Sequence, residues 1–239
     1  MKKDIFILSL VLTTLFFSCS KIDTSGNARK FNFSDSTETK DSLDTTSFGV
    51  YKGVLIGSTG RVKIYYNNGD TVMKALLTLD SLSDTLICIV PGIVGAPVIN
   101  APFEGRISYF TLSADRNGEN ALIENISVTN RVNVLGVIAH EKSNQLVSCF
   151  ETTFTGNERG YFNFVTYGSK TSGVALTNSA EYYKGKGLLT GKIFILPLVG
   201  VLSDTSSFEG GLDVNNELTG GTWLKSAISS GSFSGVRTQ

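Results

Sequence analysis

The sequence predicts an all-β protein, in which antiparallel hairpins close into a barrel or a barrel-like sandwich with little helix. After residue 48, short stretches alternate polar and apolar side chains, as half-buried strands do. Gly and Asn residues separate these stretches, and Asn-Gly pairs favour tight hairpin turns because both residues tolerate positive φ. An aromatic residue is followed two positions later by Gly six times, which favours a strongly curved sheet.

Four hairpins follow one another along the chain. Their arms are 61–65 with 71–80, 103–113 with 121–129, 146–155 with 161–167, and 208–214 with 217–224. Helical periodicity is nearly absent, and only 175–184 could form a short helix that Gly185 and Gly187 would end. The pattern therefore predicts strands almost throughout residues 48–239.

The aromatic–Gly spacing favours a barrel over an open sandwich. The six pairs are Tyr51/Gly53, Phe103/Gly105, Phe154/Gly156, Tyr183/Gly185, Phe208/Gly210 and Phe233/Gly235. Positions two apart lie on the same face of a strand, so an aromatic ring can cover the surface that Gly leaves bare. Gly also allows the sharp bends that closure of a barrel requires.

The N-terminus has the features of an export signal. Residues 5–17 form a mainly apolar stretch of 13 residues, whereas a membrane-spanning helix needs about 20. The sequence Phe-Phe-Ser-Cys at 16–19 resembles the lipobox of bacterial lipoproteins, with Phe16 where Leu is usual. The resemblance implies removal of residues 1–18 and acylation of Cys19, while an ordinary signal peptide with an incidental cysteine is the alternative.

The domain boundaries follow from composition. Ser20 rather than Asp follows the cysteine, which in enteric-type sorting implies the outer membrane, on its periplasmic or its surface face. Residues 20–47 are rich in Ser, Thr and Asp, and such a segment buries too little apolar surface to fold. We therefore predict a lipidated cysteine and flexible tether over 19–47, and one β-domain over 48–239.

The C-terminal region carries a family resemblance. Leu-Thr-Gly-Gly-Thr-Trp at 218–223 and Ser-Gly-Ser-Phe-Ser-Gly-Val-Arg at 230–237 resemble the ending of uncharacterised Gram-negative β-rich lipoproteins. Residues 49–53 and 150–156 resemble other segments of that group. The same C-terminal sequence is similar to the first hairpin of avidin-type barrels, which implies a lipocalin- or avidin-like architecture. The Trp-to-Phe spacing is too short for any biotin-site residue to carry over.

Charge argues against nucleic-acid binding. The chain has 21 basic and 21 acidic residues, so its net charge at pH 7 is zero. Proteins that bind nucleic acid collect phosphates with an excess of positive charge. The predicted partners are instead the membrane, through the N-terminal lipid, and a hydrophobic ligand or another envelope protein.

Few residues suggest catalysis. His140 is the one histidine, and no Gly-x-Ser-x-Gly motif surrounds the nearby Ser143 or Ser148. Carboxylates near strands or turns are Asp80, Asp84, Glu104, Glu151, Glu209 and Asp213. No metal or cofactor motif appears, so we predict neither. We expect a non-catalytic binding or accessory lipoprotein of a Gram-negative envelope, with a carboxylate-based glycan hydrolase as the alternative.

Two cysteines remain besides Cys19. Cys88 and Cys149 both lie in apolar, strand-like stretches. An exported protein with two such thiols is compatible with a disulfide between them. Two buried thiols acting as small apolar residues are the alternative.

The stretch 87–103 is the most unusual part of the predicted domain. It contains no charged residue and three of the four prolines, which makes it a poor central strand. Its apolar side chains are Ile93, Val94, Val98, Ile99 and Phe103, among others. They either plug one end of the barrel or form an exposed apolar edge that binds a lipid, a hydrophobic ligand or a partner protein.

Overall fold

A computed structural model describes residues 36–56, 59–70, 72–200, 204–226 and 229–238. The predicted signal sequence, Cys19 and the first part of the predicted tether lie outside these residues. The described residues belong to one compact unit and form sixteen strands and a 3₁₀ turn, Asp41–Leu43. The all-β prediction with little helix is thus confirmed. In the described part of the chain, no helix is both long and apolar enough to cross a membrane.

All strand pairs are antiparallel. The strands are β1 Gly49–Ile56, β2 Gly60–Tyr66, β3 Met73–Leu79, β4 Leu82–Cys88, β5 Val98–Glu104, β6 Ser108–Ala114, β7 Leu122–Val128, β8 Leu135–Glu141, β9 Val147–Gly156, β10 Gly160–Tyr167, β11 Lys170–Thr177, β12 Tyr182–Thr190, β13 Ile193–Gly200, β14 Thr205–Leu212, β15 Leu218–Ser226 and β16 Ser229–Arg237.

The first eight strands form a nearly closed barrel, here called barrel 1. Their order is β7-β6-β5-β4-β3-β2-β1-β8, so β7 and β8 are the two edges. Ile123 and Ile126 of β7 reach Gly136 of β8, where an added Cβ would lie 3.0 Å from Ile123 Cγ2. Aliphatic and aromatic side chains fill the interior, with Phe103 stacked on Phe110 at a centroid distance of 5.0 Å.

The last eight strands form a closed barrel, here called barrel 2. Strand β9 pairs with both β10 and β16, which completes the ring of hydrogen bonds. The interior is packed mainly with aromatic rings. For example, the ring of Phe162 contacts those of Phe164, Phe208 and Phe233. The predicted closure of strands into a barrel is therefore confirmed, although the sequence did not reveal that the domain holds two barrels.

Glycines permit the tight curvature of barrel 2 in two ways. At Gly210, an added Cβ would lie 2.7 Å from the Phe194 ring and 2.8 Å from the Phe233 ring, so aromatic carbons occupy the space above this glycine. At Gly231, an added Cβ would lie 1.8 Å from the carbonyl oxygen of Thr155 on the neighbouring strand. The first contact is the ring-over-glycine packing that the aromatic–Gly spacing predicts.

The two barrels share an apolar interface and one buried amide. The interface consists of Val54, Ile56, Val137, Ala139, Val147, Cys149, Val165 and Val174. Asn163 of barrel 2 is 2% exposed, and its Nδ2 donates a 2.8 Å hydrogen bond to the carbonyl oxygen of Leu55 in barrel 1. Its Oδ1 accepts from the Thr152 amide at 3.0 Å. Both ends of this buried side chain are thus satisfied, which fixes the register of the interface.

All four predicted hairpins are present, as β2–β3, β6–β7, β9–β10 and β14–β15. The single strand predicted over 103–113 is wrong, because a turn after Glu104 separates β5 from β6. The Asp84 carboxylate holds this turn by accepting hydrogen bonds from the amides of Arg106 and Ile107 and from the Ser108 hydroxyl. A long-range side chain therefore sets a turn that local sequence does not indicate.

The short helix suggested at 175–184 is also wrong. This stretch ends β11, turns, and begins β12. Ala180 has a positive φ of 63° in the turn, a conformation that Ala seldom adopts. The local sequence therefore does not predict this turn, because its positive-φ position is occupied by Ala180 and not by Gly or Asn.

The tether prediction requires a correction over residues 36–47. Thr39 and Ser47 are buried, and the Thr39 hydroxyl accepts a 3.0 Å hydrogen bond from the Val50 amide. The Glu38 carboxylate lies 2.7 Å from Lys63 Nζ and 3.5 Å from Lys52 Nζ. These polar residues pack against barrel 1 through hydrogen bonds and ion pairs, which a composition rule based on apolar content does not count.

Candidate functional site

A cleft lies between the two barrels in the described part of the chain. The barrel interiors themselves are occupied by their own side chains, unlike barrels that enclose a ligand. The cleft contains three adjoining cavities of about 100, 140 and 360 Å³. Ala121, Ile138, Ser172 and Lys186 line both of the smaller two, and Lys186 also lines the largest, so the cavities are continuous.

Four elements supply the walls of the cleft. They are the β6–β7 turn with the start of β7, strand β8 with the turn that follows it, the β10–β11 turn, and the outer face of β12. The two barrels therefore each contribute half of the site. The unclosed edges of barrel 1, β7 and β8, lie on one side of it.

One end of the cleft is basic. Lys142, Lys170 and Lys186 line it with Glu119, the one carboxylate among the lining residues, and Lys184 lines the adjoining apolar cavity together with Lys186. Lys170 Nζ lies 2.5 Å and Lys142 Nζ 3.5 Å from the Glu119 carboxylate. Hydrogen bonding to Lys170 lowers the pKa of Glu119 and raises the pKa of Lys170, so this pair is ionised at neutral pH.

The other two lysines have no carboxylate partner among the residues that the structure describes. Lys186 Nζ donates a 2.9 Å hydrogen bond to the neutral amide oxygen of Asn120. Burial of the Lys184 ammonium lowers its pKa; Glu124 opposes this shift and Lys186 adds to it. The basic end therefore has more positive charge than its own acids neutralise.

The opposite end of the cleft is apolar. Beside Lys184 and Lys186, its lining includes Ala121, which precedes β7, Leu122 and Ile123 of β7, and Val137 and Ile138 of β8. The adjoining glycines, Gly136 and Gly185, keep this wall free of further side chains. A cleft with an ammonium-lined end and an aliphatic end is complementary to an amphipathic anion.

His140 lies under the cleft as a structural residue. It is 6% exposed, its Nε2 lies 2.9 Å from the Phe48 carbonyl oxygen, and its ring packs on Tyr51. Burial lowers the pKa of His140 despite the hydrogen bond to Phe48, so the ring is neutral at pH 7. Gly118 covers Nδ1 so closely that an added Cβ would lie 2.2 Å from it.

The carboxylates considered for a hydrolase do not form a pair. Asp84 holds a turn, and its hydrogen bonds with Ser108, Ile107, Arg106 and Thr85 lower its pKa although burial opposes the shift. The remaining acids lie in other places: Asp80 pairs with Arg131, Glu151 with Arg61, Asp213 binds the amides of its own turn, and Glu104 and Glu209 are exposed. A glycosidase acid needs a raised pKa, which Asp84 does not have.

A second charged cluster closes one end of barrel 2. Lys225 Nζ lies 3.2 Å from Glu158, 2.9 Å from Glu181 and 3.4 Å from Asp204, each at a different turn. The Tyr183 hydroxyl lies 2.6 Å from Asp204 Oδ2. Its hydrogen bond lowers the pKa of Asp204, and the Lys225 ammonium lowers that of Glu181. The cluster therefore ties the turns together rather than supplying a proton donor.

No disulfide joins Cys88 and Cys149, which lie in separate hydrophobic clusters, so the structure has the two buried thiols of the alternative prediction. Burial raises the pKa of both, that of Cys149 to about 12. Protonated, enclosed thiols are unreactive.

The predicted apolar edge is divided in the structure. Val98 and Phe103 are buried in the core of barrel 1, as the plug alternative requires. Ile93, Val94 and Ile99 are 72%, 74% and 76% exposed, so they do not plug the barrel. The stretch thus has a buried base and an exposed aliphatic surface.

The cleft residues were missing from the sequence prediction, although one signal for them exists. Lys184 and Lys186 alternate with Gly185 and Gly187 on β12, which places both ammonium groups on one face of the strand. Their approach to Lys142 and Glu119 of barrel 1 depends on tertiary packing and leaves no local pattern.

Comparison with protein-family models, curated proteins and solved structures found no match.

Proposed function

We propose that this protein is a lipid-anchored, non-catalytic binding lipoprotein of a Gram-negative envelope, and that it binds an amphipathic anion in the cleft between its barrels. The observation that carries the binding proposal is the convergence of four lysines on a cleft with one acidic lining residue. The Phe-Phe-Ser-Cys sequence at 16–19 and the resemblance to β-rich lipoproteins support the anchor.

The electrostatics favour a ligand with a carboxylate, sulfonate or phosphate group. Lys170 and Lys142 already share Glu119, whereas Lys186 binds only a neutral amide. An anionic group at Lys186 would gain charge-assisted hydrogen bonds without displacing an internal carboxylate. The aliphatic wall beyond Ala121 would then receive the apolar part of the same ligand.

The binding proposal predicts opposite effects for two kinds of cleft variant. The probe is 8-anilinonaphthalene-1-sulfonate, an amphipathic anion whose fluorescence rises in apolar sites. We expect the double variant Lys170→Gln/Lys186→Gln to bind it roughly tenfold more weakly, because two ammonium contacts are lost. We expect Glu119→Gln to bind it more tightly, because Lys142 and Lys170 then have no internal carboxylate. Fluorescence titration at low salt measures both.

Two controls make this experiment specific. N-phenyl-1-naphthylamine has the same aromatic body without the sulfonate, and its affinity should not change in these variants. Lys192→Gln removes an exposed ammonium at the β12–β13 turn, outside the cleft lining, and should leave both dyes unaffected. Equal weakening of both dyes by the double variant, or weakening by Glu119→Gln, would refute an anion site in the cleft.

The anchor proposal has its own prediction. We expect the wild-type protein to fractionate with membranes and to have the mass of residues 19–239 plus acyl chains. Cys19→Ala should lack the acyl mass and should move to the soluble fraction, because a thiol is required for acylation. A wild-type mass without acyl chains, or equal partitioning of the two proteins, would contradict lipidation.

A further inference from the structure

We propose that the apolar loop, residues 89–99, enters the surface of the lipid bilayer and gives the protein a second, non-covalent membrane contact. The inference rests on the anchor half of the proposed function, since the anchor brings the bilayer to this face of barrel 1. It is independent of the ligand proposed for the cleft.

The apolar loop presents aliphatic side chains to the outside. Ile89, Ile93, Val94 and Ile99 are each more than 70% exposed. No charged residue occurs anywhere between 85 and 103. Four neighbouring exposed aliphatic residues without an intervening charge are unusual on a monomeric surface and are typical of a contact with lipid or a partner.

The base of the loop is held by barrel 1, so its aliphatic side chains stay outward. The Ser47 hydroxyl donates a 2.9 Å hydrogen bond to the Ala96 carbonyl oxygen. An added Cβ at Gly92 would lie 2.7 Å from the Phe48 ring, so the loop backbone packs directly on the barrel. Val98 and Phe103 complete the anchorage inside the core. The exposed residues therefore form a preformed surface.

The position of the N-terminal segment identifies the bilayer as the occupant. Lys40 reaches Gly69 in the β2–β3 turn, and Gly92 of the apolar loop lies beside Asn67 in the same turn. Only 16 residues separate Cys19 from Ser36, and a chain of this length reaches at most about 60 Å. A lipid on Cys19 would therefore hold the membrane close to this end of barrel 1.

The backbone of the loop also suits the membrane interface. Pro91 and Pro97 have no amide hydrogen, so their backbone has no donor that would lose a hydrogen bond to water on entering lipid. The Ala96 amide donates to the Ile93 carbonyl oxygen at 3.1 Å within the loop. A protein partner would gain from charged side chains, but none occurs between 85 and 103, and the Asn100 side chain already accepts a hydrogen bond from Ser113.

Barrel 2 provides a rival surface for comparison. Ile193, Ile195 and Val199 of β13 are 51–56% exposed on its outer wall. Charged residues interrupt that wall, because Ile195 pairs with Glu209 and Val199 pairs with Lys184 on the adjacent strands. It therefore lacks the uncharged continuity of the apolar loop.

The experiment uses residues 19–239 with Cys19→Ala, which is the mature chain without its lipid and contains the whole compact unit. A fluorophore sensitive to polarity is attached at Ile93→Cys, and Cys88 and Cys149 do not compete because both are buried. With phosphatidylethanolamine/phosphatidylglycerol vesicles, we expect a blue shift and quenching by brominated acyl chains. The same label at Val214→Cys, a site 88% exposed in the β14–β15 turn, should remain unchanged.

Vesicle partitioning then tests the contribution of the side chains. Ile93→Ser/Val94→Ser should reduce partitioning at least about tenfold, because several methyl groups no longer leave water. Its melting temperature should match the parent, since both residues are exposed. Ile195→Ser should partition like the parent. No vesicle association of the parent, an unchanged label at position 93, or weakening by Ile195→Ser in place of the loop variant would overturn the proposal.

These measurements test the lipid anchor and the insertion of the apolar loop independently of each other. Lipidation is read from the mass of the wild-type protein, whereas the vesicle experiment uses a chain that cannot be acylated. A wild-type protein without acyl chains whose loop still inserts would refute the anchor and support the loop. An acylated wild type whose loop stays in water would leave the anchor in place and refute the second contact.

Discussion

Replacing Glu38 by Gln is expected to lower the free energy of unfolding by about 1.5–3 kcal/mol, although Glu38 lies in a segment predicted to be a tether. The side chains of Lys52 and Lys63 are 0% and 5% exposed, and both lie within 3.5 Å of the Glu38 carboxylate. Gln would remove the carboxylate 2.7 Å from Lys63 Nζ, whereas Lys52 keeps Glu141, whose carboxylate lies 2.5 Å from its Nζ. Urea denaturation followed by circular dichroism measures the loss.

The matched control is Glu209→Gln, which removes one negative charge from the exposed face of β14. Its effect should stay within about 0.5 kcal/mol. Similar stabilities of the two variants would mean that Glu38 does not stabilise the buried lysines.

The pH dependence of the Glu38 variant gives an independent check. Burial raises the pKa of Glu38, but hydrogen bonds from Lys63 and Tyr65 and the charges of Lys63 and Lys52 bring it below the ordinary value of 4.5. A lowered carboxyl pKa contributes stability that is present above 4.5 and is lost as the pH falls through the folded-state pKa. The stabilities of wild type and Glu38→Gln should therefore converge in acid.

Truncation of Phe162 to Ala is expected to cost about 3–5 kcal/mol, the range found for buried aromatic residues. Phe162 is fully buried, and its ring centroid lies 4.0 Å from that of Phe208 and 5.3 Å from that of Phe233. The surrounding rings belong to a closed barrel, so the walls cannot collapse into the cavity. Thermal and urea unfolding both report the loss.

Tyr161 is the control for this truncation because it precedes Phe162 and points to the opposite face of β10. It is 40% exposed, and Tyr161→Ala should cost far less than the truncation of Phe162. Equal costs for the two variants would contradict the inward orientation of Phe162 and the solid aromatic core of barrel 2.

Local sequence predicted the strands better than it predicted their assembly. Alternation and Asn-containing turns are local signals, and they located β2–β3, β6–β7, β9–β10 and β14–β15. The β5–β6 turn depends on the Asp84 carboxylate more than 20 residues away, and no local pattern encodes it. Polar and apolar residues alternate along the strands of any such barrel. The sequence therefore could not distinguish two barrels from one larger barrel.

The site was less predictable for the same reason. The unusual apolar stretch 87–103 was visible as composition, but the division between buried Val98 and exposed Ile93 depends on the packing of barrel 1. The lysines of the cleft come from both barrels, and only Lys184 and Lys186 carry a local signal. Residues 36–47 were misjudged because their stability comes from polar contacts with distant residues such as Lys63.

The pairing of β9 with β16 has a consequence for the order of folding. Phe154 lies opposite Phe233 across the seam of barrel 2, so the two sides of the last seam are far apart in sequence. Closing a long loop before its contacts form is entropically unfavourable, which makes such topologies slow to fold. During synthesis, β9–β15 can form only an open sheet with two unpaired edges until residues 229–237 emerge. Chaperones that shield strand edges would act on barrel 2 in this interval, whereas barrel 1 has all its strands at residue 141.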